Sequence, residues 1–280
     1  MRFVQALITV AALAFGPVSA QDRIVALGGD VTEIIYALGE GDRVVATDST
    51  SVFPADAAGK PKVGYVRRLS AEGVLSTEPD LVIISGVAGP QTAVDQLEAS
   101  GIPMVEMDLG YTPGAILEKV DIVAEALGVQ AAGERLRGEI AADIARAEAR
   151  MDAAGVAPKV LFFAADTDGA PRAAGEDTAA DGLIRMLGGT NVFAGQTGYK
   201  ALSLEAAVAA DPDVILLMAY HLDRVGGLDG VREHPALRLT QAAQNDLIFP
   251  VDRLKVMQFG PRTPEAVADL AEAIADRMDD

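Results

Sequence analysis

The chain has 280 residues, no cysteine, no tryptophan, five tyrosines, two histidines and a formal net charge of −18. The missing thiols exclude a disulfide framework and thiolate chemistry, and the acidic balance argues against nucleic acid, whose binding depends on basic patches. The length suffices for one large or two modest domains behind an N-terminal leader.

That leader is MRFVQALITVAALAFGPVSA, with Arg2, an apolar run over 4–15 and small residues at Val18-Ser19-Ala20. The layout predicts a secretory signal cut before Gln21, because the run is shorter than the roughly 20 apolar residues of a membrane span. Gln21 offers no thiol for a lipid anchor, so a soluble exported chain is expected. No later segment is long and apolar enough to cross a membrane.

Short aliphatic runs predict buried parallel strands at 24–27, 44–47, 81–84 and 104–107. Between the second and third lies KVGYVRRLSAEG, a scarce tyrosine followed by paired arginines and by Ser70, which sits where a helix N-cap belongs. A half-buried turn tyrosine is the bland reading of Tyr65. Over 129–155, Leu136, Ile140, Ile144, Ala147 and Met151 recur at helical spacing with charges opposite, which predicts one long helix. At ~1.5 Å per residue it spans about 40 Å, enough for a strut between two lobes. Strands follow at 159–164, 214–217 and around 247–251.

The two halves repeat. LSAEGVLSTEPDLVIIS from Leu69 aligns with LSLEAAVAADPDVILLM from Leu202 at a constant offset of 133. Each copy has Leu-Ser-x-Glu, an acidic residue, Pro-Asp and four aliphatics, with Pro79 and Pro212 ending short helices and Ser70 and Ser203 as N-caps. A fainter echo links GGDVTEIIYALG at 28–39 with GEDTAADGLIRMLGG at 175–189. Alternating strands and helices in each half predict an α/β fold: two Rossmann-like lobes with parallel sheets on one backbone helix. The expected division is a signal peptide at 1–20, a first lobe at 21–128, the linking helix at 129–155 and a second lobe at 156–280. A ligand cleft is expected between the lobes at the carboxyl ends of the strands, with Tyr65 on its rim.

With these elements in place the chain resembles the helical-backbone class of periplasmic binding proteins that feed ABC importers. Within that class RIVALGGDVTEIIYALG, VGYVRRLSAEGVLSTEPDLVI, GYKALSLEAA, RVGGLDG and FGPRTPEA are similar to the hemin-binding members. The resemblance implies a periplasmic monomer that carries haem b (hemin) as transported ligand, with no catalytic cofactor, to a permease dimer with its ATPase. It implies that Tyr65 binds ferric iron through its phenolate, a hard oxygen anion, and that Arg67 supports it. Glu72 and Glu205, equivalent in the repeat, would dock onto permease arginines; helix first-turn glutamates complementing the dipole are the alternative. Some relatives place a second-lobe histidine in the segment matching AAGEDTAAD, where this chain has Glu176. His221 follows a second-lobe strand within reach of the cleft, and the residues favour a solvated side chain over a ligand. His234 precedes a proline in a polar loop and reads as structural or exposed. Five-coordinate iron is therefore expected.

Haem also needs apolar walls, for which Val66, Tyr111, Met218, Met257 and Phe259 are candidates. It needs cations for two propionates, for which Arg68, Arg224 and Arg262 are candidates. The competing readings are a carrier of a ferric siderophore or cobalamin and, more remotely, an exported Rossmann-like enzyme. For the enzyme, ALGGDVTE lacks the third glycine of a dinucleotide fingerprint, and two histidines assemble no convincing catalytic set. A zinc or manganese carrier would want more histidine and carboxylate ligands.

Overall fold

A computed structural model describes residues 22–107, 110–155, 157–165 and 170–278. The leader, its cut before Gln21 and the side chain of Met151 lie outside the described residues.

Four aliphatic strands build the first sheet, in the order Val44–Thr47, Ile24–Leu27, Leu81–Ser85, Met104–Met107, all parallel. The two central strands are buried along their whole length. Continuous apolar runs rather than alternation are what a sheet covered on both faces requires. In the second sheet Lys159–Ala165, Val214–Met218 and Ile248–Val251 run parallel, with Thr190–Asn191 beside the first of them.

Pro171–Ala174 runs against that sheet, pairing antiparallel with Lys159–Ala165 on one side and with Tyr199–Ala201 on the other, and the sequence had suggested parallel strands alone. The reason is chain length. Only five residues separate Ala165 from Pro171, whereas a parallel return needs a crossover of a dozen or more.

The repeat reaches down to backbone conformation. Ser70 Oγ accepts from the amide of Gly73 at 3.3 Å, and Ser203 Oγ from that of Ala206 at 3.2 Å. The helices they cap are Ala71–Leu75 and Leu204–Ala210. The acidic residue before each proline, Glu78 and Asp211, is left-handed, with φ of 50° and 39°. Pre-proline sterics disfavour a continued right-handed helix, so each helix stops and the chain swings into the following strand.

The linking helix is Gln130–Ala154, about 37 Å at 1.5 Å per residue. Ile140, Ile144 and Ala147 are buried. It packs against Pro113–Leu127 on the first-lobe side and against the C-terminal helix Thr263–Met278. One apolar core therefore runs from Ile24 and Ile83 of the first sheet through Ile140 and Ile144 to Phe162 and Leu216 of the second.

Polar ties join the lobes as well. Lys119 Nζ donates to Asp30 Oδ2 at 2.7 Å and, across the gap, to the carbonyl oxygens of Gln258 and Phe259, each at 3.3 Å. Arg262 grips Glu33 with two nitrogens and lies over the ring of Phe53 at 3.8 Å.

Candidate functional site

Between the lobes lies a cavity of about 1290 Å³. Its walls include Gly28, Ser85, Met107, Ala164, Met218 and Asp252, at or next to the carboxyl ends of strands from both sheets. Open α/β sheets place ligands at these ends, since the helices there begin with free amides and the loops can vary.

Tyr65 reaches this cavity on a two-residue hairpin. Gly64–Tyr65 pairs antiparallel with Arg68–Leu69, opposing Tyr65 to Arg68 and leaving Val66-Arg67 as the turn. Gly64 has φ +115°, a conformation that L side chains rarely adopt. The hairpin is pinned on both sides: the Gly64 carbonyl accepts from Ser49, the Val66 carbonyl from Gly89, and the Leu69 amide donates to Gly89. Val66, 3% exposed, anchors the tip. The half-buried Tyr65 ring is thus held on the first-lobe wall, with Val66 and Arg67 beside it.

Arg68 lies over the Tyr65 ring at 6.0 Å as its cross-strand neighbour, outside the cavity wall. Arg67 makes no hydrogen bond to Tyr65 among the described residues. Its charge reaches Tyr199 of the second lobe. Burial pushes the Tyr199 phenol up to about 12, Tyr220 and Tyr111 add to the rise, and Arg67 opposes it.

The second-lobe wall carries Tyr199, Met218, Tyr220, His221, Arg253 and Met257. The expectation of a solvated His221 is corrected: it is 4% exposed. Its ring packs edge-on against Tyr220 at 4.3 Å, and Nδ1 has no hydrogen-bond partner among the described residues. Burial, with Arg224 second, lowers its pKa, so the imidazole is neutral at pH 7. His234 is structural, its ring against Phe163 at 5.2 Å and its Nδ1 accepting from Ala236.

The other candidates from the sequence stand as follows. Val66, Tyr111, Met218 and Met257 line the cavity. Phe259 does not: it is fully buried behind Tyr111, with ring centroids 5.3 Å apart. Arg262 is also off the wall, because Glu33 and Phe53 already hold its guanidinium. Arg224 sits over Tyr220 at 5.8 Å, outside the lining, and Glu176 accepts from the Gly195 amide on an exposed turn.

The sequence reading missed Tyr199, Tyr220 and Arg253. A signal existed for Tyr199: Gly198-Tyr199 precedes Leu202-Ser203 as Gly64-Tyr65 precedes Leu69-Ser70, one residue shorter. For Arg253, nothing in its local residues distinguishes it from a solvated arginine.

Behind the Gly28 wall the buried polar groups are satisfied within the protein. Asp48 accepts from the amides of Gly28 and Thr50 and from Ser51 Oγ, at 3.0, 2.8 and 2.8 Å. Beside it stand Asp30 and Lys119, both buried and paired. Gly28 is required here, since its φ is +130° and a Cβ would lie 2.6 Å from that of Ser85. On the outer surface Glu72 and Glu205 are exposed in equivalent first turns. The backbone amide of Glu205 and the Ser203 hydroxyl hold the Glu205 carboxyl below the usual range.

Two α/β lobes on a long helix, closing on one cavity whose wall holds phenols but no acid–base–nucleophile set among the described residues, define a ligand-capturing binding protein. Residues 24–253 match the periplasmic binding protein family, and the chain belongs to it. It is similar to the periplasmic heme-binding protein RhuT from Roseiflexus sp. RS-1 in apo form: 40% identity over 92% of this chain and 99% of that one, TM-score 0.86. It is also similar to the periplasmic heme-binding protein BhuT in complex with two hemes, at 36% identity over 91% and 98%, TM-score 0.83. Among curated relatives, an uncharacterized ABC transporter substrate-binding lipoprotein, YvrC of Bacillus subtilis (strain 168), is 27% identical over 90% of this chain and 79% of its own length.

Proposed function

We propose that this protein captures haem in the interlobe cleft and delivers it to the permease of an ABC importer, with haem as cargo. The observation that carries the reading is the Tyr65 phenol on the wall of a large interlobe cavity. No group of three or more His, Asp or Glu residues able to hold a metal occurs among the described residues. A bare metal ion would need such a group, whereas a metal already held in a macrocycle needs one or two axial donors. The identity of 40% and 36% to proteins described as heme-binding supports haem as that macrocycle.

In this reading Tyr65 gives an oxygen anion to ferric iron, and Arg67 at the hairpin tip favours its charged form. Val66, Tyr111, Met218, Met257 and the neutral His221 supply the walls. Glu72 and Glu205 present one carboxylate per lobe to a two-fold permease, which offers the same basic patch twice. The leader exports the chain to the periplasm and is removed.

Titration of the mature protein with hemin and, separately, with cobalamin or a ferric siderophore tests the function. A high-spin ferric spectrum with a tyrosinate charge-transfer band is expected for hemin alone. Tyr65→Phe keeps the ring and its packing, so the fold should survive while the band disappears. Identical spectra and affinities for the two proteins would reduce Tyr65 to a loop tyrosine.

A further inference from the structure

Three basic side chains line the cavity: Arg67, Lys119 and Arg253. Lys119 is saturated by Asp30 and two carbonyl oxygens. Arg67 stands at the hairpin tip beside Tyr65. The half-buried guanidinium of Arg253 makes no ion pair or hydrogen bond with any described residue. Its neighbour Asp252 does not neutralise it. Asp252 Oδ1 accepts from the Leu254 amide at 2.8 Å and forms no ion pair with Arg253 among the described residues.

A guanidinium that is partly withdrawn from water and unpaired has lost hydration without recovering it from a partner. Arginine presents five donors in a planar fork that matches a carboxylate bidentately. Beside Arg253 the wall carries Leu254 next to it and Met257 one turn on, with Asp252 and Gln258 flanking them. Of the two cavity arginines without a partner among the described residues, Arg67 is exposed at the hairpin tip and only Arg253 is half-buried, which suits a flat ligand that carries carboxylate at one edge.

We propose that Arg253 is the carboxylate-recognising residue of the cleft and sets the cargo's orientation, with a carboxylate directed to the second-lobe segment 252–258. The inference rests on the haem reading, haem supplying two propionates. Asp177, elsewhere on the lining, disfavours a carboxylate placed beside it. Arg253 thus does what the sequence had assigned to Arg262, whose guanidinium Glu33 already occupies.

Hemin and hemin dimethyl ester, in which both propionates are masked, separate the possibilities. Each is titrated into wild type, Arg253→Gln and Arg253→Lys, following the tyrosinate band. Arg253→Gln should bind hemin roughly 10- to 100-fold more weakly, the worth of a charge-assisted hydrogen bond. Its affinity for the diester, and the band itself, should match wild type, which also shows that the variant is folded. Arg253→Lys should recover part of the loss, because a point charge lacks the fork. Equal losses for hemin and diester would make Arg253 a packing residue and overturn the proposal, as would no loss at all. A wild type that binds neither ligand would overturn the haem reading itself and this proposal with it.

Discussion

Replacing Lys119 with methionine should destabilise the protein more than removing any exposed charge. Lys119 and Asp30 have side chains 6% and 4% exposed, so water cannot take over when one partner is lost. Methionine keeps the unbranched stem but strands the Asp30 carboxylate with one side-chain donor, Ser85 Oγ at 3.3 Å. It also leaves the carbonyls of Gln258 and Phe259 without their cross-lobe donor. Breaking a buried pair from one side costs about 3–5 kcal/mol, a large share of the ~5–15 kcal/mol that holds a domain together. With a denaturation slope of about 3 kcal/mol/M in urea, the midpoint should fall by at least about 1 M. The double variant Asp30→Leu with Lys119→Met removes both charges and should regain much of the loss, because apolar replacements of buried pairs are often neutral. Urea unfolding of both singles and the double, followed by circular dichroism, measures the coupling. A single-variant loss under about 1 kcal/mol, with the double no better, would refute the reasoning.

Arg67→Ala should leave the Tyr65 ligand in place but release haem at a higher pH than wild type, read from the tyrosinate band during acid titration; coincident curves would remove Arg67 from the ligand's support. Reversing Glu72 and Glu205 to lysine should stop haem uptake in a reconstituted importer while hemin binding is unchanged. Wild-type uptake would end the docking assignment. Burial lowers the pKa of both His221 and His234 in the fold, so the unfolded chain takes up protons first as pH falls through its ordinary histidine value of about 6.5. Stability from these groups is full above that pH and declines below it. His221→Gln with His234→Gln should flatten the decline between about pH 6.5 and 5, and an unaltered slope in urea melts would show that neither imidazole is buried neutral.

The regular parts of the fold were legible because each rests on local chemistry. Ser70 and Ser203, Pro79 and Pro212 and the four-residue aliphatic runs announce caps, stops and strands without reference to the rest of the chain. Tyr65 was legible for a related reason, since a Gly-Tyr step before a capped helix already fixes a rim position. What escaped depends on partners distant in sequence. Whether an arginine is free is decided elsewhere: Glu33 lies 229 residues from Arg262 and occupies it, while no described residue does so for Arg253. His221 read as solvated because it follows the end of its strand, yet Tyr220 packs against it and it is 4% exposed. The antiparallel strand pair was missed because a five-residue return looks like a loop until its neighbours are known.

The apolar core that passes from one sheet through Ile140 and Ile144 into the other has a thermodynamic consequence. Domains with private cores open separately, and a two-lobed chain would then show two heat-absorption peaks. Here the lobes share side chains along the connecting helix, so loosening one strips cover from the other. The protein should melt in a single calorimetric transition whose van't Hoff and calorimetric enthalpies agree, despite a length at which intermediates are common. Two resolved peaks would mean that the shared layer contributes little. Because the layer resists bending as well as melting, the lobes can move apart only by small rotations. If Glu72 and Glu205 dock as proposed, cargo release depends on the permease prying the lobes apart rather than on spontaneous opening of the free protein.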